Sequence, residues 1–139
     1  MTAADEPSPS TAAHRSEAAL RSGARCVVLT ISDSRTVATD ESGALIEQLL
    51  LGAGHGVVVR HLLPNDDAQI RSRLEEALGR ADVDAVLCTG GTGLGLRDRS
   101  VEVVRPLLER ELPGFGELFR LLSYLEQVGA AAMLSRALA

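Results

Sequence analysis

A three-layer α/β/α fold around a mostly parallel sheet is what this sequence predicts, and three observations predict it. Short β-branched runs alternate with stretches in which apolar residues recur at helical spacing. The first such run is apolar on both alternations, as a strand covered on both faces must be. The chain has 139 residues and is 45% hydrophobic, enough to bury one core without disulfide or metal staples.

Taken in order, residues 1–22 are rich in Ala, Ser, Thr and Pro, with Asp5, Glu6 and Glu17. They lack both the basic start and the apolar core of a signal peptide, so a disordered arm is expected there and the folded domain over 23–139. Cys26-Val27-Val28-Leu29-Thr30-Ile31 is the first strand, closed by Ser32-Asp33-Ser34. Leu45, Ile46, Leu49, Leu50 and Ala53 form the stripe of a helix laid on the sheet, behind the candidate caps Thr39, Asp40 and Ser42, with Gly54 as a left-handed stop. Residues 57–63 read as the second strand and Pro64-Asn65-Asp66 as a turn. Ile70, Leu74, Ala77 and Leu78 mark the second helix. The third strand, 84–89, runs into Gly90-Gly91-Thr92-Gly93, and a third helix carrying Val101, Val104, Leu107 and Leu108 begins near Ser100. Pro113-Gly114-Phe115-Gly116 reads as a turn, 117–124 as helix and 128–138 as a small-residue helix. No strand follows, so the sheet is expected to lack a C-terminal strand.

The composition excludes several classes of function. The net charge is −5, every basic residue is Arg, and aromatic residues make up 2%, which leaves neither a basic track nor stacking platforms for nucleic acid. Charged or glycine residues interrupt every apolar run short of a membrane span. Cys26 and Cys88 sit in apolar runs and read as buried, reduced thiols. His14, His55 and His61 lack metal-ligand spacing, and a reducing cytoplasmic compartment follows.

In a parallel sheet, ligands collect where strands end and loops begin. Gly90, Gly91 and Gly93 can present backbone N–H groups at close range, with the Thr92 hydroxyl among them. Such a loop either cradles a phosphate or merely turns tightly. It is neither a Walker A loop, since the chain has no lysine, nor a dinucleotide fingerprint, since Ser32-Asp33-Ser34-Arg35 follows the first strand. Asp98, between Arg97 and Arg99, is either a helix-start acid paired with arginine or a magnesium ligand beside a bound phosphate. Asp33 and Asp66 follow the first and second strands toward the same edge. The stripe of Phe115, Leu118, Phe119 and Leu122 reads as core or as a subunit contact.

These residues resemble the MoaB/Mog family of molybdenum cofactor biosynthesis proteins from about Arg25 to the last residue. The resemblance rests on Ile31-Ser32-Asp33-Ser34-Arg35, Ser42-Gly43, Ala53-Gly54-His55 and Thr89-Gly90-Gly91-Thr92-Gly93 with Arg97-Asp98. It continues through Leu112-Pro113-Gly114-Phe115-Gly116-Glu117-Leu118-Phe119-Arg120, Ser123-Tyr124 and Ala132-Met133-Leu134-Ser135-Arg136. It implies a three-layer fold, a homotrimer or dimer of trimers, and binding of molybdopterin. In catalytic members it implies adenylylation of that pterin by Mg-ATP with release of pyrophosphate, and other cofactor-biosynthesis proteins are partners to expect.

By position, Asp98 matches the family's aspartate after the glycine loop and Ser135 the serine of a Ser-Arg pair near the pterin. Ser32, Asp33, Thr89 to Gly93 and Arg136 fall on binding positions. Where catalytic relatives carry an aspartate directly after the proline of the second-strand turn, this chain has Asn65, followed by Asp66. The implied catalytic set is therefore Asp98, Asn65, Asp66 and Ser135, with Asp98 and Asp66 as the Mg²⁺ carboxylates. Family members continue past the Ser-Arg pair into another strand and a Pro-Gly-Ser-Pro type loop, whereas this chain stops at Ala139. The resemblance leaves two main readings: a molybdopterin adenylyltransferase, or a non-catalytic member that binds pterin or partner proteins. The related domain of molybdate insertases and competence-damage-inducible proteins keeps the fold with a different reaction.

Overall fold

Strands β1 (Arg25–Ile31), β2 (Gly56–Leu63) and β3 (Ala85–Thr89) form one parallel sheet in the order β2-β1-β3. The computed structural model describes residues 8–20 and 22–139. β1 lies in the middle, and six of its seven residues are buried, as its doubly apolar sequence requires. The register aligns Ile31 with Leu63 and Thr30 with Thr89, so the three strands end level. The loops that leave them therefore open along one edge, and that edge carries the candidate site.

The two faces of β1 are covered differently. Val27, Leu29 and Ile31 pack with Ile70, Leu74 and Ala77 of α3 (Asp67–Leu78) and Val103 of α4 (Ser100–Val104). The spacing of Ile70, Leu74 and Ala77 puts all three on one stripe, and Ile70 is fully buried, worth about 1.5–3 kcal/mol relative to exposure. On the opposite face lies α2 (Glu41–Gly52), whose cap is Asp40. One Asp40 carboxylate oxygen accepts from the Gly43 amide at 2.9 Å and the other from the Thr30 hydroxyl at 3.0 Å, tying the helix start to the central strand. A side chain at Gly43 would meet Thr30 Oγ1 at 2.5 Å, so glycine sets this close approach.

Several expectations need correction. Residues 9–19, placed in a disordered arm, form a helix, α1 (Pro9–Ala19), with Ser8 as cap and Pro9 in the first turn. None of its residues is buried, and residues 1–7 and Arg21 of the expected arm lie outside the described residues. The stripe of α2 is seated less deeply than its spacing suggests, because Leu45 and Leu49 are exposed and Gly43 is its one buried residue. Pro113-Gly114-Phe115-Gly116 is the first turn of α5 (Pro113–Ser123), because proline at the start of a helix forfeits only an amide that has no partner there. Residues 128–138 are not a helix throughout: a π turn, Tyr124–Val128, leads through Gly129 at φ +56° into a 3₁₀ stretch, Gly129–Leu134, and then extended chain.

Cys26 is buried as expected, but Cys88 is solvent-accessible. Dense protein around its sulfur nevertheless pushes the thiol pKa up to about 11. Accessibility decides whether a reagent can touch it, and Cys88 is an exposed thiol that stays protonated at neutral pH. Phe115, Leu118, Phe119 and Leu122 of α5 are all exposed, with the two Phe rings stacked at 6.1 Å. Among the described residues, no helix is long and apolar enough to cross a membrane.

Candidate functional site

The loop after β3 turns under tight constraint. Gly90 has φ +91°, and a Cβ there would lie 2.1 Å from the carbonyl oxygen of Ile31 at the end of β1. Gly91 has φ +66°, and a Cβ there would meet Ser100 Oγ at 2.3 Å and Asn65 Oδ1 at 2.9 Å. The carbonyls of the loop are tied back. Buried Ser100 donates its hydroxyl to the Gly90 carbonyl at 2.7 Å and its amide to the Gly91 carbonyl at 3.0 Å. Arg136 donates its amide to the Thr92 carbonyl at 3.0 Å and Nε to the Gly93 carbonyl at 2.9 Å. Among the described residues, the amides of Gly91, Thr92 and Gly93 donate to nothing. With acceptors satisfied inward and donors left open, the loop has the polarity of an anion cradle.

The neighbouring strand ends supply acidic and amide oxygens. Asp33, after β1, accepts from the Asn65 backbone amide at 2.8 Å and from Asn65 Nδ2 at 3.3 Å, with Arg97 Nη1 at 3.6 Å. The Asn65 backbone amide chiefly, helped by the Asn65 side chain and Arg97, holds the Asp33 carboxyl below the usual carboxylate range against the opposing effect of desolvation. Asn65 Oδ1 is buried and has no hydrogen-bond partner, although it lies against Gly91. An orphaned buried acceptor costs free energy unless something fills its lone pairs.

The remaining expected residues divide into those that converge and those that do not. Asp98 sits at the far end of the loop, where Oδ2 accepts from the Gly95 amide at 2.8 Å while the Asp98 amide donates to the Gly95 carbonyl at 3.0 Å. Thr89 ends β3 beside Thr30. Ser32 Oγ accepts from the Ser34 and Arg35 amides, shaping the turn after β1. Asp66 instead caps α3, accepting from the Gln69 amide at 2.9 Å, and among the described residues nothing bonds it to Asp33, Asn65 or the glycine loop. Ser135 accepts from the Ala137 amide through Oγ and lines a groove of about 380 Å³ together with Arg120 and Arg136. Among the described residues that line the groove, Arg136 is the one hydrogen-bonded to the loop.

Among the described residues, no group of three or more His, Cys, Asp or Glu side chains could hold a metal by itself. The Asp33 carboxylate and the free Oδ1 of Asn65 lie beside Gly91, and the Asp98 carboxylate lies against Gly93 and Gly95 of the same loop. A hard-oxygen set with one or two carboxylates fits Mg²⁺ when substrate phosphates complete the shell. Ser100, Glu102 and Arg120 are participants that sequence reasoning missed. Only the position of Ser100 at the start of a predicted helix offered a signal, and their partners lie 10 to 34 residues away in the chain.

Comparisons with known proteins identify the family and the fold. Residues 27–138 match a family described as a probable molybdopterin binding domain. Molybdenum cofactor biosynthesis protein B of Halalkalibacterium halodurans is 53% identical over 126 residues, covering 91% of this chain and 73% of that protein. The protein of the same name from Bacillus subtilis is 47% identical over 116 residues, covering 83% and 68%. Among solved structures, the tungsten cofactor synthesizing protein MoaB of Pyrococcus furiosus superposes with a TM-score of 0.73 at 36% identity, covering 86% of this chain and 73% of that one.

Proposed function

The chain belongs to the family of probable molybdopterin binding domains found in molybdenum cofactor biosynthesis proteins, and from that premise we propose that it adenylylates molybdopterin with Mg-ATP. The observation that carries the reading is the set of open amides at Gly91, Thr92 and Gly93, in a loop whose carbonyls from Gly90 to Gly93 are all hydrogen-bonded. A terminal phosphate oxygen of the pterin attacks the α-phosphorus of ATP. The new P–O bond forms as the bond to the β-phosphate bridging oxygen breaks, and pyrophosphate leaves.

In this reading the loop amides bind the nucleotide phosphates and stabilise charge moving onto pyrophosphate, without reorganisation at the moment of transfer. Arg97, paired with Asp33 and with an 85% exposed side chain, can swing onto a phosphate oxygen. Bound Mg²⁺ would be held by Asp98, Asp33 and Asn65 Oδ1 and would neutralise phosphate charge. Asp66 has a smaller part than its sequence position suggests, because its carboxylate is committed to capping α3. Ser135 and its groove are the pterin side of the site. The exposed α5 stripe is the surface through which copies of the chain assemble.

Incubation with molybdopterin and Mg-ATP should give adenylylated pterin and an equal amount of pyrophosphate. No product, alongside an active relative as control, overturns the catalytic reading. Asn65 favours a second reading, in which the chain binds pterin but does not turn it over. Asparagine keeps an acceptor for Mg²⁺ but lacks the charge of a carboxylate. Activity that appears only in Asn65→Asp selects that second reading.

A further inference from the structure

We infer that Arg136 and Glu102 form a latch that holds the glycine loop in its ligand-ready shape, making Arg136 a positioning residue and not a phosphate ligand. The Arg136 guanidinium has five N–H donors, and four are already engaged. Nε donates to the Gly93 carbonyl at 2.9 Å. Nη2 donates to the Asp98 carbonyl at 3.1 Å and to Glu102 Oε2 at 3.4 Å, while Nη1 donates to Glu102 Oε1. With the Arg136 amide on the Thr92 carbonyl, one residue grips the loop at its entry, middle and exit.

Glu102 lies on α4, and among the described residues its side chain is hydrogen-bonded to Arg136, whose hydrogen bonds hold its carboxyl below the usual range. It fixes the plane of the guanidinium, so that the fork faces two carbonyls 5 residues apart in the chain. The segment bearing Arg136 is itself held from behind, where Arg120 of α5 donates to the Ser135 and Ala137 carbonyls at 3.3 and 3.5 Å. A Cβ at Gly116 would fall 2.5 Å from the Ala137 carbonyl oxygen, so α5 lies directly against this segment. The consequence for chemistry is polarity: by drawing the Gly93 and Asp98 carbonyls toward the guanidinium, the latch keeps those acceptors away from an incoming phosphate and leaves the amides to meet it.

The effect on binding rests on the adenylylation reading, whereas the effect on the loop does not, and the experiment separates the two. Amide hydrogen exchange at Gly95 and Asp98, both hydrogen-bonded in the closed loop, is measured in the wild type, Arg136→Gln, Glu102→Gln and the double variant, with Mg-ATP titrated into each. Exchange at both amides should rise at least about 10-fold in each single variant, while β1 amides keep their protection. Mg-ATP binding should weaken by a similar factor, and the double variant should be no worse than Arg136→Gln alone. Unchanged loop exchange in Glu102→Gln, which keeps the arginine and removes only its anchor, overturns the latch. So does loss of Mg-ATP binding in Arg136→Gln with loop exchange at wild-type rates, the signature of a direct ligand. Should Mg-ATP bind none of the four proteins, the proposed function falls while loop exchange still decides the latch.

Discussion

Replacing Gly90 with alanine tests the loop where its geometry is least forgiving. At φ +91° an L-residue costs about 1–2 kcal/mol relative to glycine. The new Cβ would start 2.1 Å from the Ile31 carbonyl oxygen, whereas real Cβ contacts essentially never fall under 3.0 Å, so the two backbones must part by about 0.9 Å. Overpacking of that kind costs roughly 1–3 kcal/mol. The movement also strains the 2.7 Å hydrogen bond from Ser100 to the Gly90 carbonyl, worth about 1 kcal/mol. Together these give a loss of about 4 kcal/mol, a large part of the ~5–15 kcal/mol that holds a domain folded. Urea unfolding at 25 °C measures it as a lower midpoint at unchanged slope. Gly114→Ala is the matched control: it lies in the first turn of α5 with nothing within 4 Å of a new Cβ, and should be neutral or stabilising by up to about 1 kcal/mol. A Gly90→Ala protein within about 1 kcal/mol of wild type would refute the constraint on which the anion cradle depends.

Two further outcomes follow from the same contacts. Asp33, Asp67, Asp84 and Glu102 are all held below the usual carboxylate range, Asp33 chiefly by the Asn65 amide and the others chiefly by hydrogen bonds from Arg99, Arg25 and Arg136. A carboxyl depressed in the folded state binds fewer protons than in the unfolded chain. Its contribution is therefore complete above the ordinary value of about 4 and is lost as pH falls through the folded value. The urea midpoint should stay flat from pH 7 to 5 and drop below about pH 4, and a midpoint at pH 3 equal to that at pH 7 would contradict it. On α5, Phe119→Glu places a carboxylate in the exposed apolar stripe and should weaken self-association by about 100-fold, read by light scattering as a shift toward the 14.6 kDa chain. An unchanged assembly would remove that stripe from the subunit contact.

The parts of the fold that were legible in the sequence are those fixed by local pattern. The doubly apolar run of β1, the Ile70, Leu74, Ala77 stripe of α3 and the left-handed Gly54 each declare themselves within a few residues, while the cap of α2 was narrowed to Thr39, Asp40 and Ser42, of which Asp40 fills the role. Pro113 misled for a local reason too: Pro-Gly-x-Gly spells a turn as readily as it opens a helix, and here it opens α5, with Gly116 lying close against the Ala137 carbonyl. At the site, the strand-loop order made it predictable that Asp33, Asp66 and the glycine loop would leave one edge of the sheet, but it is Asn65, not Asp66, that bonds to Asp33 there. Their connections were not legible. Asn65 reaches Asp33 across 32 residues, Arg136 reaches Gly93 across 43, and no periodicity encodes contacts at that range. Nor does sequence position reveal commitment: Asp66 looked as available as Asp33 until its carboxylate proved to be spent on the start of α3.

The proposed activity requires that the open amides of Gly91, Thr92 and Gly93 receive nucleotide phosphate. Titration of Mg-ATP into the ¹⁵N-labelled protein, followed amide by amide, measures this directly. The largest saturable shifts should fall on Gly91, Thr92 and Gly93, with the Asn65 side-chain amide moving alongside them. Saturable shifts that fall elsewhere, leaving those three backbone amides in place, would contradict it.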